Sequence, residues 1–282
     1  MKIWVTGAAG QLGCSLRQRV SGVADCYLFT DREVDITSRA AVDEFVTQHR
    51  PDVIINCAAY TNVEQAEEEE QVAYALNATA VGYLAAAAKR CDALLIHIST
   101  DYVFMGGCCA VLTEESHPNP INAYGRTKLA GEEALQASGC HYQIFRTAWL
   151  YSPYGKNFVK TILRLSKERD SLQVVADQIG SPTYAPDLAD ALVRIIENRD
   201  FYEGVFHYTN LGECSWWEFA TEICRLAKRG AQVNPCTSEE FPSKALRPKS
   251  AVLDKQKFGR TFGLEIPHWK ESLKRCIDEL QA

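Results

Sequence analysis

The stretch KIWVTGAAGQLG, residues 2–13, decides the fold of this 282-residue chain. An apolar run rich in β-branched residues stops at Gly7, and the pattern from Cys14 onward is typical of a helix. A strand, a glycine turn and a helix start make an anion site, because unpaired N–H groups and the positive end of the helix dipole face the turn. The spacing G-x-x-G-x-x-G differs from the standard G-x-G-x-x-G fingerprint. We predict that the turn binds the pyrophosphate of a dinucleotide; a plain strand-to-helix turn is the alternative.

The second predicted strand, residues 26–30, ends at Asp31. A carboxylate about 20 positions beyond the glycines is placed to bind the adenosine ribose hydroxyls, which favours NADH. Arg32 follows at once and could instead neutralise the 2′-phosphate of NADPH. The sequence therefore leaves both cofactors open. Asp35 and Ile36 are placed to border the adenine, although an Asp that caps the following helix explains Asp35 equally well.

Strands and helices alternate along the first half of the chain. Strands are predicted at residues 53–56, 92–99 and 141–146, with one long helix from Glu64 to Arg90 between the first two. This alternation is typical of an α/β fold, a doubly wound parallel sheet with helices on both faces. Ligands bind such sheets at the carboxyl ends of the strands, so the small residues at 57–59 leave room for a cofactor.

The fourth strand runs into Ser99 and Thr100, and a loop leads to a predicted helix that carries Tyr124 and Lys128. One helical turn separates the tyrosine from the lysine, so an ammonium lies beside a phenol. A unit charge at about 4 Å and an effective dielectric of about 20 is worth about 4 kcal/mol, or roughly three pKa units. The lysine could therefore tune the tyrosine as a proton donor, with a hydroxyl of Thr100 or Ser99 holding the oxygen that it protonates. A half-buried tyrosine beside a solvated lysine is the alternative.

The composition shifts towards aromatic residues after Trp149. We predict a nucleotide-binding domain over residues 1–150, with a returning segment at about 183–210. Residues 151–182 and 211–282 then form a smaller substrate-binding domain across the carboxyl edge of the sheet. The later elements are predicted as helices at 156–169, 187–197, 216–227 and 269–280, a strand at 204–208 and an irregular stretch around Pro235, Pro242 and Pro248.

Composition limits the classes of protein. A formal net charge of −6 argues against a nucleic-acid partner, which normally needs a basic face. No apolar run approaches the about 20 residues of a membrane span, and no secretion signal is recognisable after Met1, so we predict a cytoplasmic protein. The 11 cysteines include no C-x-x-C pair. We predict free thiols without a metal site, the adjacent Cys108 and Cys109 included.

Six longer strings along the chain carry a family resemblance. They are CAAYTNVE at 57–64, HISTDYVF at 97–104, YGRTKLAGE at 124–132, FRTAW at 145–149, NFVK at 157–160 and DQIGSPT at 177–183. Together with the glycine turn they resemble the extended short-chain dehydrogenase/reductase family over nearly the whole chain. The resemblance implies a Rossmann-type fold with a smaller C-terminal substrate-binding domain. It also implies hydride transfer from NADPH or NADH to the keto group of a dTDP-sugar.

The resemblance assigns roles to individual residues. Tyr124 would give a proton to the carbonyl oxygen, Lys128 would bind the nicotinamide ribose and assist the tyrosine, and Thr100 would hydrogen-bond the sugar oxygen. Cofactor contacts are implied for Gly7, Gly10, Gln11, Leu12, Asp31, Arg32, Asp35, Ile36, Ala59, Tyr60 and Thr61. Substrate contacts are implied for Thr100, Asp101, Trp149, Val63, Asn157 and Arg247. Arg247 is predicted to bind the diphosphate, since a guanidinium suits two phosphate oxygens at once; a surface cation is the alternative.

Some members of the family are thought to pair through a metal held by glutamates, one of them just after the third glycine. Cys14 and Ser15 stand at that place here. We therefore expect no metal, and the protein is predicted to be a monomer or a homodimer.

Two other functions fit the same resemblance. A nucleotide-sugar dehydratase or epimerase oxidises and re-reduces its substrate; the dehydratases typically follow Thr-Asp with Glu, whereas Tyr102 stands here. The regulatory subunit of methionine adenosyltransferase resembles the same family and uses the fold as a binding module. An intact set of Thr100, Tyr124 and Lys128 favours an active enzyme. Fold resemblance alone would not establish activity.

Overall fold

The computed structural model of the protein describes residues 1–20, 26–106 and 111–281. Cys108 and Cys109, predicted to be thiols, lie outside these ranges. The strands are β1 (Lys2–Thr6), β2 (Cys26–Phe29), β3 (Val53–Asn56), β4 (Leu94–Thr100), β5 (Tyr142–Thr147), β6 (Leu150–Tyr151), β7 (Ser171–Val175), β8 (Ile179–Gly180), β9 (Thr183–Tyr184), β10 (Gly204–His207), β11 (Cys214–Ser215) and β12 (Gln232–Cys236). The α-helices are α1 (Gln11–Arg19), α2 (Arg39–His49), α3 (Val63–Ala66), α4 (Glu70–Tyr74), α5 (Ala80–Cys91), α6 (Ala123–Ala137), α7 (Phe158–Glu168), α8 (Ala185–Asn198), α9 (Trp216–Leu226), α10 (Gln256–Phe262) and α11 (Trp269–Gln281).

Within the described residues, six strands form one central sheet in the order β10-β5-β4-β3-β1-β2, and every neighbouring pair is parallel. The predicted doubly wound parallel sheet is confirmed. The register sets Thr6 beside Asn56, Asn56 beside His97, and Thr100 beside Thr147. The carboxyl ends of β1, β3, β4 and β5 therefore meet at one edge of the sheet.

Helices cover both faces of this sheet, which explains why its strands are almost continuously apolar. On one face, Leu16 of α1 and Leu192 of α8 share a core with Phe145 of β5. On the other face, Val42 of α2 and Leu84 of α5 share a second core with the strands. Each such side chain contributes about 1.5–3 kcal/mol by leaving water. The two cores fix the positions of the strand ends.

Helix α10 adds to the first of these cores. No helix is predicted from the sequence at residues 256–262, which were assigned to the smaller domain. In the structure Phe258 packs on Phe145 and Phe262 packs on Phe206, with ring centroids 6.3 and 4.8 Å apart. A helix of seven residues with an internal glycine carries too weak a periodic signal to be predicted.

Residues after Trp149 build a third core, which includes Tyr151, Phe219 and Leu273. The predicted helices at 156–169, 216–227 and 269–280 correspond to α7, α9 and α11. The stretch around Pro235 is not irregular, contrary to the prediction, because β12 pairs with β7 in a two-stranded parallel sheet. Proline is tolerated there since each strand of a two-stranded sheet has an unpaired edge.

The helix predicted from Glu64 to Arg90 is divided into α3, α4 and α5, with a π-helical turn (Ala75–Thr79) before α5. The π-helical turn presents Asn77 to the segment that follows β3. The Asn77 side chain accepts from the Tyr60 N–H at 2.8 Å and donates to the Tyr60 carbonyl at 3.1 Å and the Thr127 hydroxyl at 3.1 Å. Such turns often lie at functional sites. The composition of the stretch gives no sign of it.

Three observations concern the part of the chain that the structure describes. It contains no helix long and apolar enough to cross a membrane. All of its cysteines are free. No group of three or more His, Cys, Asp or Glu side chains in it could hold a metal ion.

Candidate active site

The glycine turn between β1 and α1 is required by close packing. Gly7 has φ +64°, and a Cβ there would lie 2.6 Å from the backbone nitrogen of Ala58. A Cβ on Gly13 would lie 2.5 Å from the Gly7 carbonyl oxygen. Helix α1 starts after Gly10, so the first N–H groups of the helix face the turn. Leu12 is 4% exposed with its side chain in the core, which leaves only its backbone available to a ligand.

A cavity of about 510 Å³ opens at this turn. It is lined by the predicted cofactor residues Gly7, Gly10, Asp31, Arg32, Asp35, Ile36 and Ala59, together with Val34, Cys57, Ala58 and Leu76. The strand ends thus bring together residues that lie up to 69 positions apart in the sequence, from Gly7 to Leu76. The Arg32 side chain is exposed and Asp31 is partly buried, so both reach solvent at the mouth of the cavity.

Asp35 does not cap a helix. Its carboxylate accepts hydrogen bonds from the N–H and hydroxyl of Thr37, at 2.9 and 2.6 Å, and these bonds lower its pKa. Ser38 is the residue that caps α2, through the Ala41 N–H at 3.4 Å. The helix-cap alternative for Asp35 is therefore wrong, and its place on the cavity wall is explained by a local turn.

Gln11 and Asn157, predicted at the cofactor and at the substrate, contact each other. The Asn157 amide donates to Gln11 Oε1 at 2.9 Å and also caps α7 through the Lys160 N–H at 3.1 Å. Gln11 Nε2 donates to the Leu150 carbonyl at 3.3 Å. Both side chains therefore join the glycine turn to the residues that follow β5. Sequence patterns cannot reveal a contact over 146 positions.

Tyr60 and Thr61 directly follow Ala59 but do not line the cavity. The Tyr60 phenol donates to Glu69 at 2.8 Å, and its backbone is held by Asn77. Thr61 is exposed. The segment therefore forms the rim of the cleft on the side of α3.

Lys128 is 1% exposed. Its ammonium donates to the Ile98 carbonyl at 2.7 Å and lies 3.2 Å from His97 Nε2. Burial lowers the pKa of Lys128 to about 8, and the nearby Glu132 carboxylate opposes this shift. Burial also raises the pKa of the neighbouring Cys57 thiol to about 12, which keeps it neutral. The alternative of a solvated lysine is wrong.

A buried ion pair lies behind the lysine. Arg146 Nε and Nη2 donate to Glu132 Oε1 and Oε2 at 3.0 and 2.6 Å, and the two side chains are 4% and 0% exposed. The Ser99 hydroxyl donates to the same carboxylate. The Arg146 guanidinium also lies 5.0 Å from the centre of the Phe104 ring. The Ser99 hydroxyl is thus occupied by this pair, which leaves Thr100 as the hydroxyl beside Tyr124.

Tyr124 lies one turn before Lys128 on α6 and is half-buried. Its ring meets the Tyr102 ring edge-on at 5.5 Å. Contrary to the prediction that the lysine tunes it, the pKa of Tyr124 is raised by burial, and it is the adjacent Thr100 hydroxyl that opposes the rise. Thr100 Oγ1 donates to Asp101 Oδ1 at 3.0 Å, and burial raises the pKa of Asp101 to about 7. A phenol that keeps its proton, a hydroxyl and a titratable carboxyl therefore lie together, as a proton-transfer site needs.

A second cavity, of about 770 Å³, reaches this cluster through Arg247. Arg247 Nη2 donates to Glu64 Oε1 at 2.7 Å, and the guanidinium also interacts with the Tyr102 phenol. The cavity wall includes Gln65, Phe158, Ile162, Gln173, Val175, Gln178, Trp216, Phe241 and Lys244. The surface-cation alternative for Arg247 is wrong, since the residue is tied into the cavity wall.

The aromatic residues of this cavity wall are Phe158, Trp216 and Phe241, and none of them was predicted as a site residue. Trp149, predicted at the substrate, stacks on Trp216 with ring centroids 3.5 Å apart, and Phe158 packs on Trp216 at 4.6 Å. Val63 starts α3, next to Glu64. The shift towards aromatic residues after Trp149 pointed to this region. It gave no indication of Trp216, which comes from a distant helix.

Comparison with known proteins gives one consistent result. The model of the family described as the RmlD substrate binding domain matches residues 1–282. A dTDP-4-dehydrorhamnose reductase of Burkholderia thailandensis is 38% identical over 295 aligned residues, which cover 99% of each chain. The crystal structure of a dTDP-4-dehydrorhamnose reductase from Clostridium acetobutylicum is 46% identical with a TM-score of 0.97 and covers 100% of each chain. That of the Bacillus anthracis enzyme, in complex with NADP, is 42% identical with a TM-score of 0.95 and covers 99% of each chain.

Proposed function

The chain belongs to the family described as the RmlD substrate binding domain, and from this premise we propose that it reduces the 4-keto group of dTDP-4-dehydrorhamnose to give dTDP-L-rhamnose. It is an NAD(P)H-dependent oxidoreductase of the short-chain dehydrogenase/reductase type. One observation carries the proposal. A buried ammonium lies one helical turn from a phenol, at the sheet edge where the glycine turn opens a cavity.

The cavity at the glycine turn is the proposed dinucleotide site, because it holds about 510 Å³ and is lined by Gly7 and Gly10 beside the start of α1. The N–H groups of Gln11 and Leu12 at the start of α1 would bind the pyrophosphate. Asp31 and Arg32 would border the adenosine ribose, Asp35 and Ile36 the adenine, and Ala59 the rest of the cofactor, with Tyr60 and Thr61 at the rim of the cleft. Reduced nicotinamide, when bound, supplies the hydride.

The remaining steps belong to side chains of the protein. Tyr124 gives its phenolic proton to the carbonyl oxygen of the sugar. The phenol carries this proton at pH 7, because the pKa of a tyrosine is about 10 and burial raises it further. The Lys128 ammonium stabilises the phenolate that forms. Thr100 holds the sugar oxygen by a hydrogen bond during the transfer.

The nucleotide part of the substrate is proposed to enter the second cavity. Arg247 would exchange the Glu64 carboxylate for the diphosphate, which presents two oxygens to one guanidinium. Trp149 and Asp101 would face the sugar, with Val63 and Asn157 at the periphery. A stack of aromatic rings beside the cavity suits a flat thymine base.

The decisive experiment mixes the purified protein with enzymatically generated dTDP-4-dehydrorhamnose and follows the absorbance of NADPH, and separately of NADH. We expect oxidation of the cofactor with dTDP-L-rhamnose as the product. No oxidation with either cofactor, in folded protein that binds dinucleotide, would contradict the proposal and favour a binding module or another keto-sugar.

Arg32→Ala is expected to weaken the binding of NADPH about tenfold more than the binding of NADH. Only NADPH carries the 2′-phosphate that an exposed guanidinium at the cavity mouth could bind. The measurement is the dissociation constant of each cofactor, with Asp31→Asn as the matched variant that should weaken NADH more. Equal losses for both cofactors in Arg32→Ala would show that Arg32 does not touch the 2′-phosphate.

The rate of reduction is expected to depend on pH through two buried groups. Lys128, with a pKa of about 8, loses its charge as the pH rises, so kcat/KM should fall above that value. Asp101, with a pKa of about 7, loses its charge as the pH falls, so binding of the sugar hydroxyls should weaken below that value. Asp101→Asn should remove the acid limb and leave the basic limb. A wild-type profile that is flat from pH 6 to about 9.5 would contradict both assignments.

A further inference from the structure

A column of buried polar side chains runs from Lys128 into the interior of the sheet. Thr6, Asn56 and His97 occupy neighbouring register positions on β1, β3 and β4. These three residues and Lys128 are each at most 1% exposed. Lys128 Nζ lies 3.2 Å from His97 Nε2, His97 Nδ1 lies 3.0 Å from Asn56 Nδ2, and Asn56 Oδ1 lies 2.7 Å from Thr6 Oγ1. A buried polar chain persists only where every member has a partner. The proposed reaction accounts for Lys128 alone.

The column restricts the direction of the ammonium. An ammonium has three N–H donors. The Ile98 carbonyl, at 2.7 Å, takes one, and His97 Nε2 lies within reach of a second. Tetrahedral geometry then directs the third away from both partners. If His97 were absent, the side chain would be held by one hydrogen bond and could rotate about it.

The charge of Lys128 decides the tautomer of His97. The pKa of His97 lies well below its ordinary value because the ring is buried, so the imidazole is neutral and carries one N–H. A charged lysine can only donate, which makes Nε2 the acceptor and places the proton on Nδ1. The carbonyl oxygen of Asn56 must then face Nδ1, and its NH₂ must face Thr6. A half-turn of the amide exchanges its two ends, and the Thr6 hydroxyl, which donates to Asn56 Oδ1 before the turn, then accepts from the Asn56 NH₂.

We propose that His97 is a positioning residue for the reduction. Its Nε2 accepts a hydrogen bond from Lys128 and, together with the Ile98 carbonyl, fixes the ammonium in one position, one helical turn from Tyr124. Asn56, with its carbonyl oxygen turned towards Nδ1, accepts from the Nδ1–H tautomer that makes this possible. The inference rests on the proposed function, because a fixed ammonium matters to turnover only if Lys128 assists a proton donor.

Two variants of His97 separate the two ring nitrogens. His97→Gln places an amide oxygen near the position of Nε2 and keeps the acceptor for Lys128. His97→Asn places its amide near the position of Nδ1, so it keeps the contact with Asn56 and leaves Lys128 without that acceptor. Both replace a buried ring by a smaller neutral amide, so each serves as the control for packing in the other, and melting temperatures record any difference in stability.

We expect kcat to fall by about 10- to 100-fold in His97→Asn, the effect of losing one hydrogen bond to a charged group, and by less than about fivefold in His97→Gln. The KM for the keto-sugar should be similar in both. The basic limb of the pH profile should move to lower pH only in His97→Asn, because a lost acceptor disfavours the charged lysine. Glu132 and Cys57, the groups whose charges act on the pKa of Lys128, are unchanged in both variants.

Two further measurements do not need turnover. Nitrogen-15 NMR of histidine-labelled wild-type protein at pH 7 should show the Nδ1–H tautomer for His97. The affinity for NADP⁺ should fall in His97→Asn and not in His97→Gln, since Lys128 is expected to bind the nicotinamide ribose.

The outcomes distinguish the two proposals. An Nε2–H tautomer at pH 7, or equal kcat values and pH profiles in the two variants, would overturn the role of His97. If the wild-type protein reduces the keto-sugar in that case, the proposed function still stands. Conversely, wild-type protein that reduces no keto-sugar, but shows the Nδ1–H tautomer and selective loss of NADP⁺ affinity in His97→Asn, would overturn the proposed function and support the positioning of Lys128.

Discussion

Replacing Tyr124 by phenylalanine is expected to lower the turnover number for keto-sugar reduction by about 10²- to 10⁴-fold, the usual contribution of a positioned proton donor. The phenol is the proposed acid, and burial keeps it protonated at neutral pH. Removing one oxygen leaves the ring and its edge-on contact with Tyr102 in place. Cofactor affinity, measured by fluorescence titration with NADPH, should therefore stay close to that of the parent protein.

Tyr102→Phe is the matched control, because it removes a phenol from the adjacent ring. The Tyr102 hydroxyl hydrogen-bonds Arg247, the residue proposed to bind the diphosphate. We expect this variant to raise the KM for the dTDP-sugar and to change the turnover number by less than about tenfold. Activity of Tyr124→Phe within tenfold of the parent, or equal losses of turnover in the two variants, would remove Tyr124 from the role of proton donor.

The sequence predicted those parts of the site that local patterns encode. The glycine turn, Asp31 and the small residues after β3 were recognisable because each follows an apolar strand, where the crevice rule places ligands. Tyr124 and Lys128 were recognisable from one helical turn of spacing. The family resemblance then pointed to Thr100, which the structure places beside Tyr124.

The parts that were missed depend on contacts between distant segments. A single histidine in an apolar strand gives no pattern, so the link from Lys128 through His97 to Asn56 could not be predicted. The π-helical turn at Asn77 lies within a stretch that the sequence predicts as one continuous helix. Asn157 reads like a substrate residue in its motif, yet its amide holds Gln11. Each of these contacts is set by the register of the sheet or by the packing of the later residues on it.

Replacing Arg146 by methionine is expected to lower the free energy of unfolding by about 3–5 kcal/mol, because it leaves the Glu132 carboxylate buried without its cation. A domain is typically stable by about 5–15 kcal/mol, so this change would bring the protein near its unfolding threshold. The measurement is urea unfolding at pH 7. The double variant Glu132→Gln with Arg146→Met should recover most of the loss, since an amide can still accept from Ser99 and no unpaired charge is buried.

The same double variant connects the stability of the core to the chemistry of the site. Glu132 raises the pKa of Lys128 by attraction along one face of α6, so removing its charge should lower that pKa and move the basic limb of the rate profile to lower pH. Stability would thus recover while the pH range of activity narrows. An Arg146→Met protein that loses less than about 1 kcal/mol would show that the pair contributes no more than a surface salt bridge. An unchanged basic limb in the double variant would show that Glu132 does not set the charge of Lys128. We therefore expect the pair of Arg146 and Glu132 to stabilise the fold and also to maintain the charge of Lys128.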